Sequence, residues 1–120
     1  MSVHSDLPEA MDRITDERLR EALAAIKRAL VEHIGPDFRL ILFGSRARGD
    51  AEPDSDVDLM AILPDEAYTL PTREAIYRVA ADVSLDWDYV ICPIIVSERI
   101  AAEHAGFMVF GAVEREGVSV

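Results

Sequence analysis

Two aspartates spaced two residues apart, Asp56 and Asp58 in the stretch SDVDL (55–59), are the side chains from which chemistry is most readily built. In an extended strand, residues i and i+2 share a face. The two carboxylates therefore project together, while Val57 and Leu59 turn toward the core. Paired carboxylates raise each other's cost of ionisation, and a divalent cation removes that cost. A hard ion such as Mg²⁺ takes carboxylate oxygens and keeps waters and substrate phosphates as its other ligands. A bare D-x-D is equally the mark of a solvated strand start, and Asp54 and Ser55 read as part of such a turn.

The preceding loop supplies the other half. In FGSRARG (43–49), glycine lets the backbone approach a bulky anion. N–H groups at the start of a helical turn, together with the Ser45 hydroxyl, can cradle a phosphate. Arg46 and Arg48 can add charge-assisted hydrogen bonds. Gly44 and Gly49 have the G-x-x-x-x-G spacing of a P-loop, but Asp50-Ala51 stands where that motif needs Lys and Ser/Thr. Taken alone, the loop is also what an ordinary strand-to-helix turn looks like. A phosphate cradle at the end of one strand and a carboxylate pair on the next form a single site. There a metal ion would join the carboxylates to the phosphates of a nucleoside triphosphate.

Several elements must hold these groups. Residues 1 to 14 have weak periodicity and read as a short helix or an arm. From Thr15, the candidate N-cap, Leu19, Ala22, Leu23, Ile26, Ala29, Leu30 and Ile34 recur at helical steps, and Gly35-Pro36 ends the run. FRLILF (38–43) and VDLMAIL (57–63) are short apolar strands, with SRARG between them as a helical turn. Pro71-Thr72 opens a helix through about residue 84, with Ala75, Ile76, Val79, Ala80 and Val83 inward. LDWDYVICPIIVS (85–97) reads as a third strand, and Pro93 puts it at an edge or a bulge. Ser97 caps a short helix with Glu98 in its first turn. A last helix runs from about Phe107 to Arg115 and stops at Gly117, and VSV adds a final strand. This order predicts one domain over residues 1–120, α/β (α+β) in class, with a small mixed β-sheet flanked by helices.

With these elements laid out, Gly44-Ser45, ten intervening residues and Asp56-Val57-Asp58 resemble the hG[GS]…Dh[DE]h signature of the DNA polymerase β-like nucleotidyltransferase superfamily, and Phe43 is the apolar residue before the glycine. The fuller string GSRARGDAEPDSDVDL resembles the minimal nucleotidyltransferases, the MNT proteins often encoded beside a HEPN-domain protein. The likeness extends over most of the chain, through the first helix, the PIIVSER strand end and the VEREGV tail. The resemblance implies the polymerase β-like fold and nucleotidyl transfer at two Mg²⁺ ions about 3.5–4 Å apart. Asp56 and Asp58 would hold both ions, and Gly44 and Ser45 the leaving phosphates. Arg46 or Arg48 would offset the charge developing there. Family members carry a third acidic residue on the neighbouring strand. LDWDYVICP offers Asp86 and Asp88, which share parity. Asp88 is preferred, because it leads directly into the apolar run YVIC, where a charge facing the core would need a partner; by the resemblance it would share one metal ion with Asp56 and Asp58, the ion that lowers the pKa of the attacking hydroxyl. By the same resemblance, the donor is ATP and the acceptor a tyrosine of a HEPN-type toxin, with this chain its antitoxin. A catalytically weak module that masks its partner, and an enzyme for small hydroxylated substrates such as aminoglycosides, are the alternatives.

Composition narrows the setting. The chain has 120 residues, a formal net charge of −11 and half its residues hydrophobic, enough for one core without disulfide staples. Its 12 Lys and Arg against 23 Asp and Glu disfavour general nucleic-acid binding. No apolar run approaches the roughly 20 residues of a membrane span, and the acidic N-terminus lacks a signal-peptide core. The single cysteine, Cys92, cannot form an internal disulfide, which suits the cytoplasm. His4, His33 and His104 have no ligand spacing and read as structural or surface residues. Trp87, Tyr89 and Phe107 read as core or interface. Apolar positions on the terminal helices leave room for a partner protein or a homo-oligomer.

Overall fold

The computed structural model describes residues 14–105 and 108–120. The expectations for residues 1–13, including His4, and for Phe107 lie outside the described residues. Helix α1 (Glu17–Ile34) begins where the Asp16 carboxylate accepts a hydrogen bond from the Leu19 N–H at 3.2 Å, one residue after the expected cap. It ends at Gly35, whose φ of +81° favours glycine and whose N–H donates to the Val31 carbonyl. Leu19, Ala22, Leu23, Ile26 and Leu30 are buried along one face, as the periodicity requires.

Strands β1 (Arg39–Phe43), β2 (Val57–Leu63), β3 (Ile91–Ser97) and β4 (Val118–Ser119) make one mixed sheet in the order β3-β2-β1-β4. β1 is antiparallel to β2 and to β4, whereas β2 and β3 are parallel. A parallel pair needs a long crossover, and helix α3 (Leu70–Trp87) provides it. Leu40, Leu42, Leu59, Ala61 and Leu63 face one core with α1 and α3. Ile41, Phe43, Met60, Ile62 and Val96 face a second core that includes Val113. Because both faces are covered, RLILF and VDLMAIL are almost continuously apolar instead of alternating. The second face is closed by α4 (Glu98–Glu103), which Ser97 caps by accepting from the Ile100 N–H, and by α5 (Met108–Glu116). No helix among the described residues is long and apolar enough to cross a membrane.

The third strand differs from expectation. Residues 85–87 continue α3, and Asp88 caps that helix in the left-handed conformation (φ 58°, ψ 44°). The N–H groups of Asp88 and Tyr89 both return to the Ser84 carbonyl. Ser84 Oγ donates to the Ala80 carbonyl and accepts from the Ile91 N–H, which fixes the turn into β3. Trp87 extends the inward face of α3, four residues after Val83, and packs against the core. That tertiary contact outweighs the β-propensity of LDWDYV. The strand is an edge strand, as Pro93 implied.

Candidate active site

β2 carries the site because its other parity is locked. Val57 and Leu59 are wholly buried, so Asp58, half-buried, and Asp56, exposed just before the strand, are forced to the opposite side. The Asp58 carboxyl is held above its ordinary pKa, first by burial and then by the charge of Asp56; Glu116 raises it further and Arg48 lowers it. The register pairs Phe43 with Asp58, which brings the end of β1 beside the carboxylate. Gly44 follows with φ +78°, and a Cβ built there would run into Asp58 Oδ2. Glycine is required at 44 on two counts: its conformation, and the seat its backbone makes against the acidic group.

Helix α2 (Ser45–Arg48) is a single turn capped by Gly44 and closed by Gly49. The Ser45 hydroxyl has no hydrogen-bond partner among the described residues. Both arginines are engaged within the protein. Arg46 Nη2 donates to the carbonyls of Pro53 and Ser55 at 3.1 and 3.0 Å, and its guanidinium lies 5.2 Å from the Tyr89 ring centre. Arg48 Nη1 donates to both carboxylate oxygens of Glu116 at 3.1 Å, and its Nε to Asp50 at 3.2 Å. Glu116 also accepts the Gly44 N–H at 3.1 Å. It is the residue that sequence reasoning missed. It sits in the VEREGV tail that carried the family resemblance, but no local pattern ties a glutamate there to a loop 72 residues earlier.

The strand parity that favoured Asp86 and Asp88 falls with the strand itself. Asp86 is exposed on α3, and exposed Asp88 lines a cleft of about 260 Å³ together with Arg46, Ser55, Tyr89 and Val90. Opposite Asp58 in the parallel register stands Cys92. Burial pushes the Cys92 thiol up, as do the charges of Asp56 and Asp58 and a hydrogen bond to Asp56, so it is protonated at neutral pH. Among the described residues, no group of three or more His, Cys, Asp and Glu side chains is arranged to hold a metal. His33 bonds the Ala29 carbonyl and His104 stacks on Phe110, both structural contacts.

Comparison with known proteins gives this geometry a context. The model of the "Nucleotidyltransferase domain" family matches residues 23–110. The chain is 42% identical over 82 residues to "Putative protein adenylyltransferase MJ0141" of Methanocaldococcus jannaschii, spanning 68% of this chain and 77% of that protein. It is 33% identical over 67 residues to "Probable protein adenylyltransferase MntA" of Haemophilus influenzae, spanning 56% of this chain and 57% of that one. The backbone is similar to a crystal structure of a "putative nucleotidyltransferase" from Sulfolobus solfataricus, with a TM-score of 0.56 and 17% identity over 92% of this chain and 82% of that one. That last likeness is one of fold.

Two outcomes follow from the packing of Gly44 on Asp58. Gly44→Ala should cost about 2 kcal/mol or more in denaturant unfolding, because strain at positive φ adds to the clash. Gly49→Ala has φ +86° but nothing within 4 Å of its Cβ, and should cost only about 1 kcal/mol; equal losses would remove the role of the close approach. The second concerns charge. A carboxyl whose folded pKa is raised favours the native state when protonated, and that advantage is lost as pH rises through its folded pKa. Without divalent ions, Asp58→Asn should therefore melt at a higher temperature than the wild type at pH 7, and the gain should vanish as pH falls through the carboxylate range. A lower melting temperature at pH 7 would contradict the assignment.

Proposed function

The chain belongs to the nucleotidyltransferase-domain family, and on that footing we propose that it uses Asp56, Asp58 and Mg²⁺ to transfer a nucleoside monophosphate, AMP from ATP, to a hydroxyl of a partner protein. The observation that carries this reading is the contact of the Gly44 backbone with Asp58. It sets a loop whose serine hydroxyl has no partner among the described residues directly beside an acidic pair. The donor set suits Mg²⁺, which is commonly bound by one or two carboxylates with phosphates and water completing its shell. Burial and, after it, the charge of Asp56 raise the cost of ionising Asp58, and such a cation would relieve that cost. Bound there, in one ion or two, Mg²⁺ would stabilise charge on the triphosphate and ease ionisation of the attacking hydroxyl.

The rest falls to the chain's own residues. Ser45 and the Gly44 turn orient the β- and γ-phosphates so that the α-phosphorus faces the acceptor. The acceptor oxygen bonds to that phosphorus, the bond to the bridging oxygen of the β-phosphate breaks, and pyrophosphate leaves. Arg46 adds positive potential at the loop while remaining bound to the Pro53 and Ser55 carbonyls, whereas Arg48, paired with Glu116 and Asp50, holds the shape of the turn. The acceptor proton passes to water, since the Cys92 thiol opposite Asp58 is already protonated; Asp88, which lines the cleft beside Arg46 and Tyr89, is the candidate third carboxylate. A protein acceptor is supported by the two relatives named as protein adenylyltransferases. By the resemblance to MNT antitoxins, the acceptor is a tyrosine of a HEPN-type toxin in the cytoplasm, silenced by the added AMP. One observation favours a second reading, in which the chain masks its partner with little catalysis: a thiol, not a carboxylate, faces Asp58 on the neighbouring strand.

The two readings separate in one experiment. Co-expressed with the protein encoded beside it, the chain should transfer label from α-labelled ATP to that protein in Mg²⁺. Replacing both Asp56 and Asp58 by Asn should reduce transfer by 10³-fold or more, on the order expected for loss of catalytic metal binding. Full neutralisation of the partner by the double variant, without transferred label, would establish masking instead.

A further inference from the structure

Glu116 has no place in the transfer reaction, yet it meets the two ends of the phosphate loop. Its carboxylate accepts the Gly44 N–H and both hydrogen bonds from Arg48 Nη1, and its side chain is only 18% exposed. Its backbone is fixed as firmly. The next residue, Gly117, returns its N–H to the Val113 carbonyl, and a Cβ there would strike Val113 and Ile41. Val118 then pairs with Leu42 on β1, the strand that delivers Gly44. The sheet register thus places Glu116 against Gly44 without help from the loop.

Building on the transferase reading, we infer that Glu116 is a positioning residue: it clamps Gly44 and Arg48 so that the Ser45 side of the turn is presented to the nucleotide, and Arg48 serves as a strut, not a phosphate ligand. Two observations direct this. Arg48 is bound by Glu116 and Asp50 together, so its charge is already matched. A phosphate brought to the same face would meet the Glu116 carboxylate and be repelled. The competing role is that of a placeholder, a carboxylate occupying donors that a phosphate later takes. The two roles predict opposite signs for nucleotide affinity.

The test compares the full chain with its Glu116→Ala and Glu116→Gln variants. Calorimetry with Mg²⁺ and a non-hydrolysable ATP analogue should show binding weakened about tenfold or more by Ala, since two charge-assisted contacts are lost. Gln, which keeps an oxygen for the Gly44 N–H and the shape of the side chain, should recover part of that loss. Amide hydrogen exchange at Gly44 without nucleotide should speed up in the Ala variant and much less in the Gln variant. Arg48→Ala should add little to Glu116→Ala. Tighter or unchanged binding in the Ala variant, or unchanged exchange at Gly44, would overturn the inference. If the wild type itself binds no analogue, the nucleotide reading fails, and the exchange rates alone decide for or against the clamp.

Discussion

A half-buried carboxylate, Asp58, held beside a second one is the constraint around which this chain is built. Val57 and Leu59 are locked into the core, so β2 cannot roll to separate Asp56 from Asp58. The Gly44 backbone closes one side of Asp58, and Glu116 adds a further negative charge nearby. In a protein selected only for stability, such an arrangement would relax. Here two hydrophobic cores, one on each face of a four-stranded sheet, hold it in place. Burial of a single leucine contributes roughly 1.5–3 kcal/mol, so a few core residues suffice to offset the repulsion.

Positive charge is scarce in the chain, and the loop uses its share for shape. Arg46 gathers the carbonyls of Pro53 and Ser55, the turn that leads into Asp56, and rests on Tyr89. Arg18 lies over the same ring and over Trp87, and Tyr89 OH donates to Asp16 at the cap of α1. This cluster ties α1, the α3–β3 turn and the acidic loop together. Exposed ion pairs contribute little singly; here the guanidinium groups act through backbone carbonyls and a half-buried glutamate, and their effect is geometric. Gly44 completes the same device from the β1 side.

Most of the fold was legible in the sequence, for identifiable reasons. VDLMAIL reappears as β2 residue for residue, the inward faces of α1 and α3 follow the 3.6 period, and Ser97 caps α4 as expected. These features depend on local patterns. The D-x-D pair was equally visible, because strand parity is a property of adjacent residues. What was not legible depended on distance. LDWDYV has strand-like composition, yet Trp87 packs on the core and draws the helix three residues past its expected end. With that shift, Cys92, not an aspartate, comes to face Asp58. Glu116 was hidden for the same reason: its partners lie 68 and 72 residues away, and the packing of α5 and the pairing of β4 on β1 bring them together.

The central claim is that the fold keeps two repelling carboxylates side by side in order to hold a cation and the phosphates it carries. The most direct measurement is a crystal of the full chain grown with Mg²⁺ and a non-hydrolysable ATP analogue. The account predicts metal density within ligand distance of Asp56 and Asp58, with the triphosphate lying against Gly44 and Ser45. A well-ordered structure showing no ion there, and the nucleotide absent or bound elsewhere, would contradict it.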